Sequence, residues 1–473
     1  MGENDKVIKA GIGYTIGNYM LKGLSFFTIP IFARMMSTSD YGLFNTYASY
    51  DGIFFVLVGL ALHSSFKNAK YKYENQFNSF VSSCLVLAII SLLSWLFIGN
   101  TFYFAYGKSI GFSRVVINVL LLNSFGNAVI QYYNVYVGIY YKYRDFLKIA
   151  VFNALCSLIL SIVLIKWCFP SSRYLGRILG TAIPVFVITI YIIIYFFRQS
   201  APAYKKKFWS FATKYSLPII PHGLSQVVLS QFDRIMITAM IGSSSSGIYS
   251  FGYNIYTLIA VTSSSLDNVW SPWFYEKMNA GDIDTIKKQS SKYALGMMLF
   301  SVLVMLVSPE IIMLLGTADY SEAVYVVIPI VAGGFFSFLY TLPVQIEYYY
   351  EKTKWIAGAT FLAAILNIFL NWIYINQFGY IAAAYTTLIT YCLYFVFHYI
   401  VAIRIAKKKI FNGRTIACLS VCVIVGAGSA LLLIPVVIVR WAIAIVLLVI
   451  LLTWINKEIN IVGRIKNRIS ERK

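Results

Sequence analysis

Residues 218–253 read PIIPHGLSQVVLSQFDRIMITAMIGSSSSGIYSFGY, an apolar run that carries an Asp-Arg pair near its middle. An earlier part of the chain repeats this run with every position shifted by the same amount. Identical residues coincide at Leu24 and Leu229, Ser25 and Ser230, Phe27 and Phe232, and Gly42 and Gly247. Self-similarity at this scale is a sign of repeated architecture. The sequence therefore predicts two repeats, each of roughly 200 residues.

The composition is that of a membrane protein. Of the 473 residues, 59% are hydrophobic and only 12% are charged, and the mean hydropathy is +0.73. A soluble domain carries about 25% charged residues, so an ordinary soluble protein is excluded. The six cysteines lack the spacing of a disulfide framework or a zinc site. We expect them to pack as small apolar side chains.

Fourteen apolar runs are each long enough to cross a bilayer as a helix, which takes about 20 residues. The predicted fold class is an all-α polytopic membrane protein with about 14 transmembrane helices. The runs cover residues 11–36, 43–66, 78–99, 113–140, 147–169, 175–197, 211–241, 247–271, 292–315, 323–349, 355–376, 380–403, 415–437 and 441–456.

The positive charge follows the predicted topology. The chain has 39 Lys and Arg residues and a net charge of +21. With the N-terminus in the cytoplasm, all but nine of these cations fall in the two tails and the even-numbered loops. Six lie on the opposite side (Lys108, Arg114, Lys166, Arg173, Arg177 and Arg440), and three lie inside spans (Lys22, Arg34 and Arg234). The positive-inside rule then predicts two cytoplasmic termini. The charge gives no support to a nucleic-acid partner.

Each repeat holds six spans, so the second copy begins on the same side of the membrane as the first. Such parallel repeats are related by a pseudo-two-fold axis along the membrane normal, as in transporters that rock two bundles around a central site. The predicted order is an N-terminal six-helix bundle (1–200), a basic cytoplasmic linker (201–210), a C-terminal six-helix bundle (211–405), two additional helices (406–457) and a basic cytoplasmic tail (458–473).

Short motifs, each weak alone, occur along the chain in a specific order. They are Arg34 with Tyr41-Gly42-Leu43, Pro218 with Asp233-Arg234, Gly247-Ile248-Tyr249-Ser250, Asn371-Trp372, Phe378-Gly379 and Ala382-Ala383-Ala384. With these motifs and its span count, nearly the whole chain resembles the Wzx-like polysaccharide flippases of the multidrug/oligosaccharidyl-lipid/polysaccharide exporter superfamily. The resemblance implies transfer of an undecaprenyl-pyrophosphate-linked oligosaccharide from the cytoplasmic to the outer leaflet of the bacterial inner membrane. It also implies a polysaccharide polymerase and a chain-length regulator as partners.

Charged residues inside the first span are candidates for the substrate site, because a charge at the bilayer centre costs about 3 kcal/mol. Lys22 shares a helical face with Asn18 and Ser25. An ammonium on a cavity wall can hold a diphosphate as a point charge. An interhelical ion pair or a snorkelling side chain is the alternative. Arg34, near the end of the span, is a second candidate, and snorkelling outward is its alternative too.

The seventh span carries a second polar face, which should not contact lipid. Its members are His222, Gln226, Ser230 and Asp233. Adjacent residues of a helix do not face each other, so Asp233 and Arg234 need partners on other helices. Asp51 is one candidate partner for Arg234 or Arg34. We predict His222, Gln226 and Arg234 in the substrate cavity, and Asp233 and Asp51 as sites of ion coupling. A purely structural role for Asp233-Arg234 is the alternative.

Other polar residues inside spans have simpler explanations. We expect Glu347 near the cytoplasmic interface and His398 as a buried, hydrogen-bonded imidazole. Asn367 and Asn371 share a face, and interhelical hydrogen bonds account for them.

Two competing functions remain open from the sequence. A cation-coupled multidrug exporter of the same superfamily would need acidic groups in its cavity. A membrane polymerase or ligase would need a large outward loop, and no predicted outward loop exceeds about fifteen residues. The sequence contains neither a phosphate-binding loop nor a His-Glu-x-x-His helix. We therefore predict a monomeric transporter in the lipid bilayer, without enzymatic activity, cofactor or metal.

Overall fold

A computed structural model describes residues 3–459 of the chain. It does not describe the side chains of residues 3–10, 12, 15, 16, 18, 19, 22, 25, 107–110 and 459. The chain divides into two compact units, Met1–Ser250 and Phe251–Lys473, called here the first and the second unit. The predicted bundle limits near residues 200 and 405 stay predictions.

The first unit contains ten complete helices and the start of an eleventh within the described residues. They are α1 (Glu3–Met35), α2 (Thr38–Gly59), α3 (Phe66–Lys72), α4 (Phe77–Thr101), α5 (Tyr103–Ile110), α6 (Arg114–Ile139), α7 (Tyr143–Val163), α8 (Arg173–Gln199), α9 (Lys206–Ser216), α10 (Ile220–Met240) and α11 (Ser243–Asn279). A π-helical turn, Leu164–Cys168, continues α7.

Two prolines divide the predicted seventh span. Pro218 lies in a 3₁₀ turn, Leu217–Ile219, that separates α9 from α10, and Pro221 lies in the first turn of α10. The first turn of a helix tolerates proline because its N–H has no intrahelical partner there. Residues 211–241 are thus two helices joined by a break rather than one.

The short helix α9 is amphipathic and begins inside the stretch predicted as a linker. Its buried face presents Phe208 and Ala212, while Lys207 and Lys214 are exposed. The Phe208 ring packs at 5.5 Å from that of Phe80 in α4. The apolar face of α9 therefore packs on the core of the first unit and leaves its lysines at the surface.

The repeat detected in the sequence forms a close contact inside the first unit. The N-terminal ends of α2 and α11 meet at Gly42 and Gly247, where an added Cβ would clash with the backbone carbonyl of Ser243 or Thr38 respectively. The hydroxyls of Thr38 and Ser244 lie 2.7 Å apart. Those of Ser39 and Ser243 lie 2.7 Å apart as well. The contacts are symmetric: Thr38 and Ser39 are equivalent to Ser243 and Ser244 in the repeat, so each of the two hydroxyl contacts is the counterpart of the other.

The second unit contains the remainder of α11 and seven further helices within the described residues. They are α12 (Ile283–Leu315), α13 (Val324–Leu339), α14 (Thr341–Tyr349), α15 (Thr353–Phe378), α16 (Ala382–Ala406), α17 (Gly413–Leu432) and α18 (Val437–Ile459). The central helix is α13, which is almost completely buried and packs against α12 and α16. The two additional helices, α17 and α18, pack on α12.

The described helices form an all-α polytopic membrane protein, which confirms the predicted class. Ten helical segments, one of which (Ala318–Tyr349) joins α13 and α14, are long and apolar enough to cross a bilayer, or eleven if α2 and Leu62–Lys72, which meet at a 52° bend, form one span. Three more predicted spans coincide with α1, α10 and α11, which are more polar. The count of fourteen therefore stays a prediction.

Candidate functional site

A cavity of about 410 Å³ lies inside the first unit, among α1, α6, α7 and α8. Ligand sites typically enclose about 300–1,000 Å³ and combine apolar walls with a few polar groups. The apolar wall includes Leu24, Ile130 and Phe146. The polar groups of the wall are Thr28, Asn134, Asn153, Ser157 and Arg177. The cavity can therefore hold a polar group of moderate size beside apolar surface.

Arg177 supplies the positive charge among the described residues of the cavity wall. Its guanidinium carbon lies 3.5 Å from the centroid of the Phe32 ring and 5.0 Å from that of Phe44. Its Nη1 donates to Ser161 Oγ at 3.1 Å. Cation–π contacts of a desolvated guanidinium contribute about 2 kcal/mol. The cation is thus held in place, and its further N–H groups can donate to a phosphate oxygen.

Two glycines explain why Arg177 reaches this position. An added Cβ on Gly176 would lie 2.9 Å from the backbone nitrogen of Ile165, and one on Gly180 would lie 2.5 Å from Ser161 Cα. Small residues four apart let two membrane helices approach closely. Because α8 lies directly against α7 at these glycines, Arg177 between them is brought to the edge of the α7 surface and into the cavity wall.

Two asparagines add hydrogen-bonding groups to the cavity. Asn134 Oδ1 is buried and has no hydrogen-bond partner among the described residues. Such an atom costs about 1–3 kcal/mol unless a ligand or water satisfies it. Asn153 Oδ1 accepts weakly from Ser157 Oγ at 3.5 Å. An acceptor and an amide beside a fixed cation suit a ligand that combines hydroxyl groups with negative charge.

The predicted residues of the first span are only partly tested. Leu21, Leu24 and Thr28 of α1 line the cavity. The side chains of Asn18, Lys22 and Ser25 lie outside the described part of the structure, so their placement in the cavity stays a prediction. Arg34 lies in the last turn of α1 and is exposed, and it is not part of the cavity wall.

The predicted polar face of the seventh span lies on α10, apart from the cavity. His222 and Gln226 are half-buried, and His222 Nδ1 has no partner among the described residues. Asp233 is fully buried and accepts from Tyr249 Oη of α11 at 2.6 Å. Arg234 is 8% exposed, and its Nη1 donates to the carbonyl of Ser230 at 3.0 Å. The Asp233–Tyr249 bond and a bond from Ser246 Oγ to the carbonyl of Arg234 join α10 to the start of α11, whereas the bond from Arg234 to Ser230 lies within α10.

Asp51 of α2 is held by neutral groups of α6. Its Oδ1 accepts from Ser124 Oγ at 2.6 Å and its Oδ2 accepts from Asn127 Nδ2 at 2.9 Å. The sequence suggested Arg34 or Arg234 as the partner of Asp51, whereas in the structure Ser124 and Asn127 hydrogen-bond to it. A carboxylate in this setting has hydrogen bonds but no counter-charge from them, which makes it able to bind a proton or a small cation.

Sequence reasoning missed the central cation of the site. The sequence placed Arg177 with the outer-side charges, although it lies inside the predicted span 175–197; in the structure it lies within α8, at the cavity wall. Its position between Gly176 and Gly180 was the available signal. The contributions of Asn134 and Asn153 had no comparable signal, since asparagines occur in many of the predicted spans.

Comparison with known proteins agrees with this architecture. A family model described as "Polysaccharide biosynthesis protein" matches residues 7–278. The chain is 23% identical over 385 residues to "Lsg locus putative protein 1" of Haemophilus influenzae, which covers 77% of this chain and 90% of that relative.

Two solved structures share the fold. The lipid II flippase MurJ, in an inward closed conformation, superposes with a TM-score of 0.73 and 15% identity, covering 95% of this chain and 99% of that one. An inward-facing multidrug resistance transporter of the MATE family in the MOP superfamily superposes with a TM-score of 0.63 and 13% identity, covering 82% and 94%. At these identities the similarity shows a common fold.

Proposed function

Because the chain belongs to the polysaccharide biosynthesis protein family, we propose that it moves a lipid-linked precursor of a polysaccharide across the bilayer. The proposed substrate is an undecaprenyl-pyrophosphate-linked oligosaccharide, transferred from the cytoplasmic to the outer leaflet of the bacterial inner membrane. The fold that it shares with the lipid II flippase MurJ is consistent with this proposal.

The observation that carries the proposal is Arg177 in the wall of the cavity of the first unit. A diphosphate needs a fixed cation, and a guanidinium offers several N–H donors to phosphate oxygens. Asn134 Oδ1, which is buried and has no partner among the residues that the structure describes, can accept from a sugar hydroxyl. The apolar wall formed by Leu24 and Ile130 suits the adjoining lipid. In this proposal Lys22, Asn18 and Ser25 complete the site from α1.

Transport would proceed by alternating access. The two repeats would rock about the bound headgroup, which is first open to the cytoplasm and then to the outer side. Outward movement of a pyrophosphate across an inside-negative membrane is favoured by about 2.3 kcal/mol per charge per 100 mV. Both chain termini would be cytoplasmic, and a polymerase and a chain-length regulator would receive the product. The chain would act as a monomer.

Coupling to protons or sodium is a separate part of the proposal. Asp51, with neutral partners on α6, is the carboxylate best suited to bind a cation in the first unit. Asp233 already shares a hydrogen bond with Tyr249 and would contribute by loosening or tightening the contact between α10 and α11.

The competing function is cation-coupled drug export, and Asp51 is the observation that favours it. An exporter of cationic drugs needs an anionic cavity. The cavity of the first unit carries Arg177 instead, so an anionic substrate fits it better.

The test is the sidedness of the lipid-linked oligosaccharide in cells that lack the protein. We expect the complete repeat unit to accumulate in the inner leaflet, and the wild-type gene to restore outward display. Arg177→Ala should reduce display at least tenfold with an unchanged amount of folded protein, because the loss of one charge-assisted phosphate contact is equivalent to about 1.5–3 kcal/mol. Arg177→Lys should retain part of the activity, since it keeps the charge but loses the planar stacking on Phe32.

Arg198→Ala is the matched control, because Arg198 lies in the same helix and is exposed. It should display the oligosaccharide normally. Normal display in cells without the protein would contradict the proposed function and favour drug export. Equal loss of folded protein and of display in Arg177→Ala would assign Arg177 a structural role.

A further inference from the structure

A glutamate and a histidine form a pair deep inside the second unit. Glu347 lies on α14 and His398 on α16. The distance between His398 Nδ1 and Glu347 Oε1 is 2.6 Å, and both side chains are 0% exposed. Glu347, expected at the membrane interface, is therefore wholly buried. His398 is confirmed as a buried, hydrogen-bonded imidazole.

Each member of the pair keeps a second polar atom without a partner. Within the described residues, neither Glu347 Oε2 nor His398 Nε2 makes a hydrogen bond. Buried polar atoms are nearly always paired when their role is structural, because each unpaired one costs about 1–3 kcal/mol. The pair therefore has hydrogen-bonding capacity that its own contact does not use.

The net charge of the Glu347–His398 pair depends on how many protons it holds. The short contact needs one proton between Nδ1 and Oε1. When Nε2 also carries a proton, the pair is neutral overall, either as carboxylate and imidazolium or as carboxylic acid and imidazole. When Nε2 is bare, the pair carries one negative charge. A buried site disfavours net charge, so the neutral pair holds one proton that it can release only when water reaches it.

The other titratable groups around the pair are mostly phenols. The rings of Tyr394 and Tyr340 lie 4.5 Å and 5.7 Å from the imidazole, and Tyr394 Oη hydrogen-bonds to Thr360 Oγ1 of α15. Tyr256 and Asp267 of α11 and Tyr348 of α14 also act electrostatically in this region. Lys352, at the start of α15, is exposed.

Asp267 is itself held by neutral groups. It accepts from Gln345 Nε2 at 3.1 Å. No lysine or arginine in the described structure hydrogen-bonds to the Glu347 carboxylate. The charge of that carboxylate is therefore balanced by His398 when its ring is protonated, and otherwise by a proton of its own.

We propose that Glu347 and His398 form a proton-binding site, which releases its proton to water when the second unit changes conformation and takes up another afterwards. Release breaks one N–H bond, transfers the proton to a water molecule and leaves the electron pair on the imidazole nitrogen. The use of this proton to drive transport rests on the function proposed above. The binding site itself does not.

Histidine-selective nitrogen-15 NMR tests the site directly. The chain has three histidines, so the full-length protein in lipid vesicles, labelled with nitrogen-15 histidine, gives three sets of ring signals. His398→Gln, or His63→Gln together with His222→Gln, assigns the His398 signals. We expect these signals to change between the protonated and the neutral ring as the pH is varied over the range in which the protein stays folded. Glu347→Gln should shift the pH of that change.

Ser308→Ala is the matched control, since Ser308 is buried on α12 of the same unit, donates to the backbone carbonyl of Met305 and is not titratable. It should leave the titration unchanged. A His398 ring that keeps one protonation state over the whole range would overturn the proposal, whether or not Glu347→Gln folds. So would a titration midpoint that Glu347→Gln leaves in place.

Transport in reconstituted vesicles separates the site from the function. We expect an imposed pH gradient to accelerate movement of an undecaprenyl-pyrophosphate-linked oligosaccharide by the wild type, and Glu347→Gln to lose this acceleration. If the transport rate of the wild type did not change with the pH gradient, coupling through the Glu347–His398 pair would be overturned. If the wild type moved no substrate under any condition, the proposed function would fall, while the NMR titration would still decide the site.

Discussion

Two substitutions of Asp51 can distinguish its contribution to stability from its contribution to function. Its carboxylate accepts from Ser124 and Asn127, so removing the charge and removing the acceptor are different changes. Asparagine keeps one acceptor oxygen at nearly the same position. Alanine leaves a hydroxyl and an amide without a partner.

We therefore expect Asp51→Asn to leave thermal stability unchanged or raise it, because no charge remains to be desolvated. Asp51→Ala should lower the free energy of unfolding by about 1–3 kcal/mol, the cost of the groups left unpaired. If Asp51 couples an ion, both variants should lose gradient-driven transport. Thermal unfolding in detergent and transport by vesicles measure the two effects. Equal stability of the two variants would contradict this account of the hydrogen bonds.

The sequence predicted a cation in the candidate site, but Arg177 was not among the residues it offered. A charged side chain inside a membrane span is costly and therefore indicates a function. In the first span the sequence offered Lys22 and Arg34. Arg34 is exposed in the structure, and Arg177 lines the cavity. A residue near the end of a span can turn outward to water or inward to a cavity. Hydropathy does not distinguish the two, because helix packing decides between them.

At the scale of helices, close packing at small residues sets the shape of the site. Gly176 and Gly180 hold α8 against α7 and so bring Arg177 to the cavity. Interhelical contact also accounts for the asparagines of α15, as predicted. Asn367 Nδ2 donates to Thr387 Oγ1 of α16 at 3.4 Å, and Thr386 of α16 donates to Asn371. The spacing of the residues on a helix face was enough to predict such contacts.

Gly180→Ala tests the packing of α7 on α8. The new methyl group would lie about 2.5 Å from Ser161 Cα, so the helices must separate. We expect a loss of about 1–3 kcal/mol in the free energy of unfolding, as for overpacked cores. Gly358→Ala is the control, because a Cβ there meets no atom within 4 Å. It should be neutral or slightly stabilising through helix propensity. The same loss of stability in both variants would show that packing at Gly180 is not the cause.

Helix ends were harder to predict than helices. Residues 211–241 read as one apolar run, yet Pro218 lies in a turn between α9 and α10. Apolar runs do not reveal such breaks, because both sides of the break are hydrophobic. The basic residues near 205 predicted a linker, whereas the buried Phe208 makes this stretch part of an amphipathic helix.

At the scale of the whole molecule, the repeat is the feature that the sequence predicted best. The matching positions Gly42 and Gly247 meet in the first unit, in the contact between α2 and α11. Alternating access requires such a contact between repeats to open during each cycle. A covalent bond between the two helices should therefore stop transport.

The variant Thr38→Cys/Ser244→Cys tests this expectation, because the two hydroxyls lie 2.7 Å apart. We expect a disulfide to form under mild oxidation, transport to fall to background, and a reductant to restore it. Thr38→Cys and Ser244→Cys alone are the controls and should transport under both conditions. Full transport by the cross-linked protein would mean that this contact stays closed throughout the cycle.

The contact between α2 and α11 also bears on the ancestry of the chain. A surface that maps onto itself when two equivalent segments are exchanged is an isologous interface, the kind that joins the subunits of a two-fold symmetric dimer. Gly42 with Gly247, and Thr38 and Ser39 with Ser243 and Ser244, form such a surface within one polypeptide. A half-length ancestor that paired through these residues, followed by gene duplication and fusion, would leave this arrangement. In the fused chain neither glycine can gain a side chain while this contact persists, since a Cβ at either one meets the backbone of the other repeat.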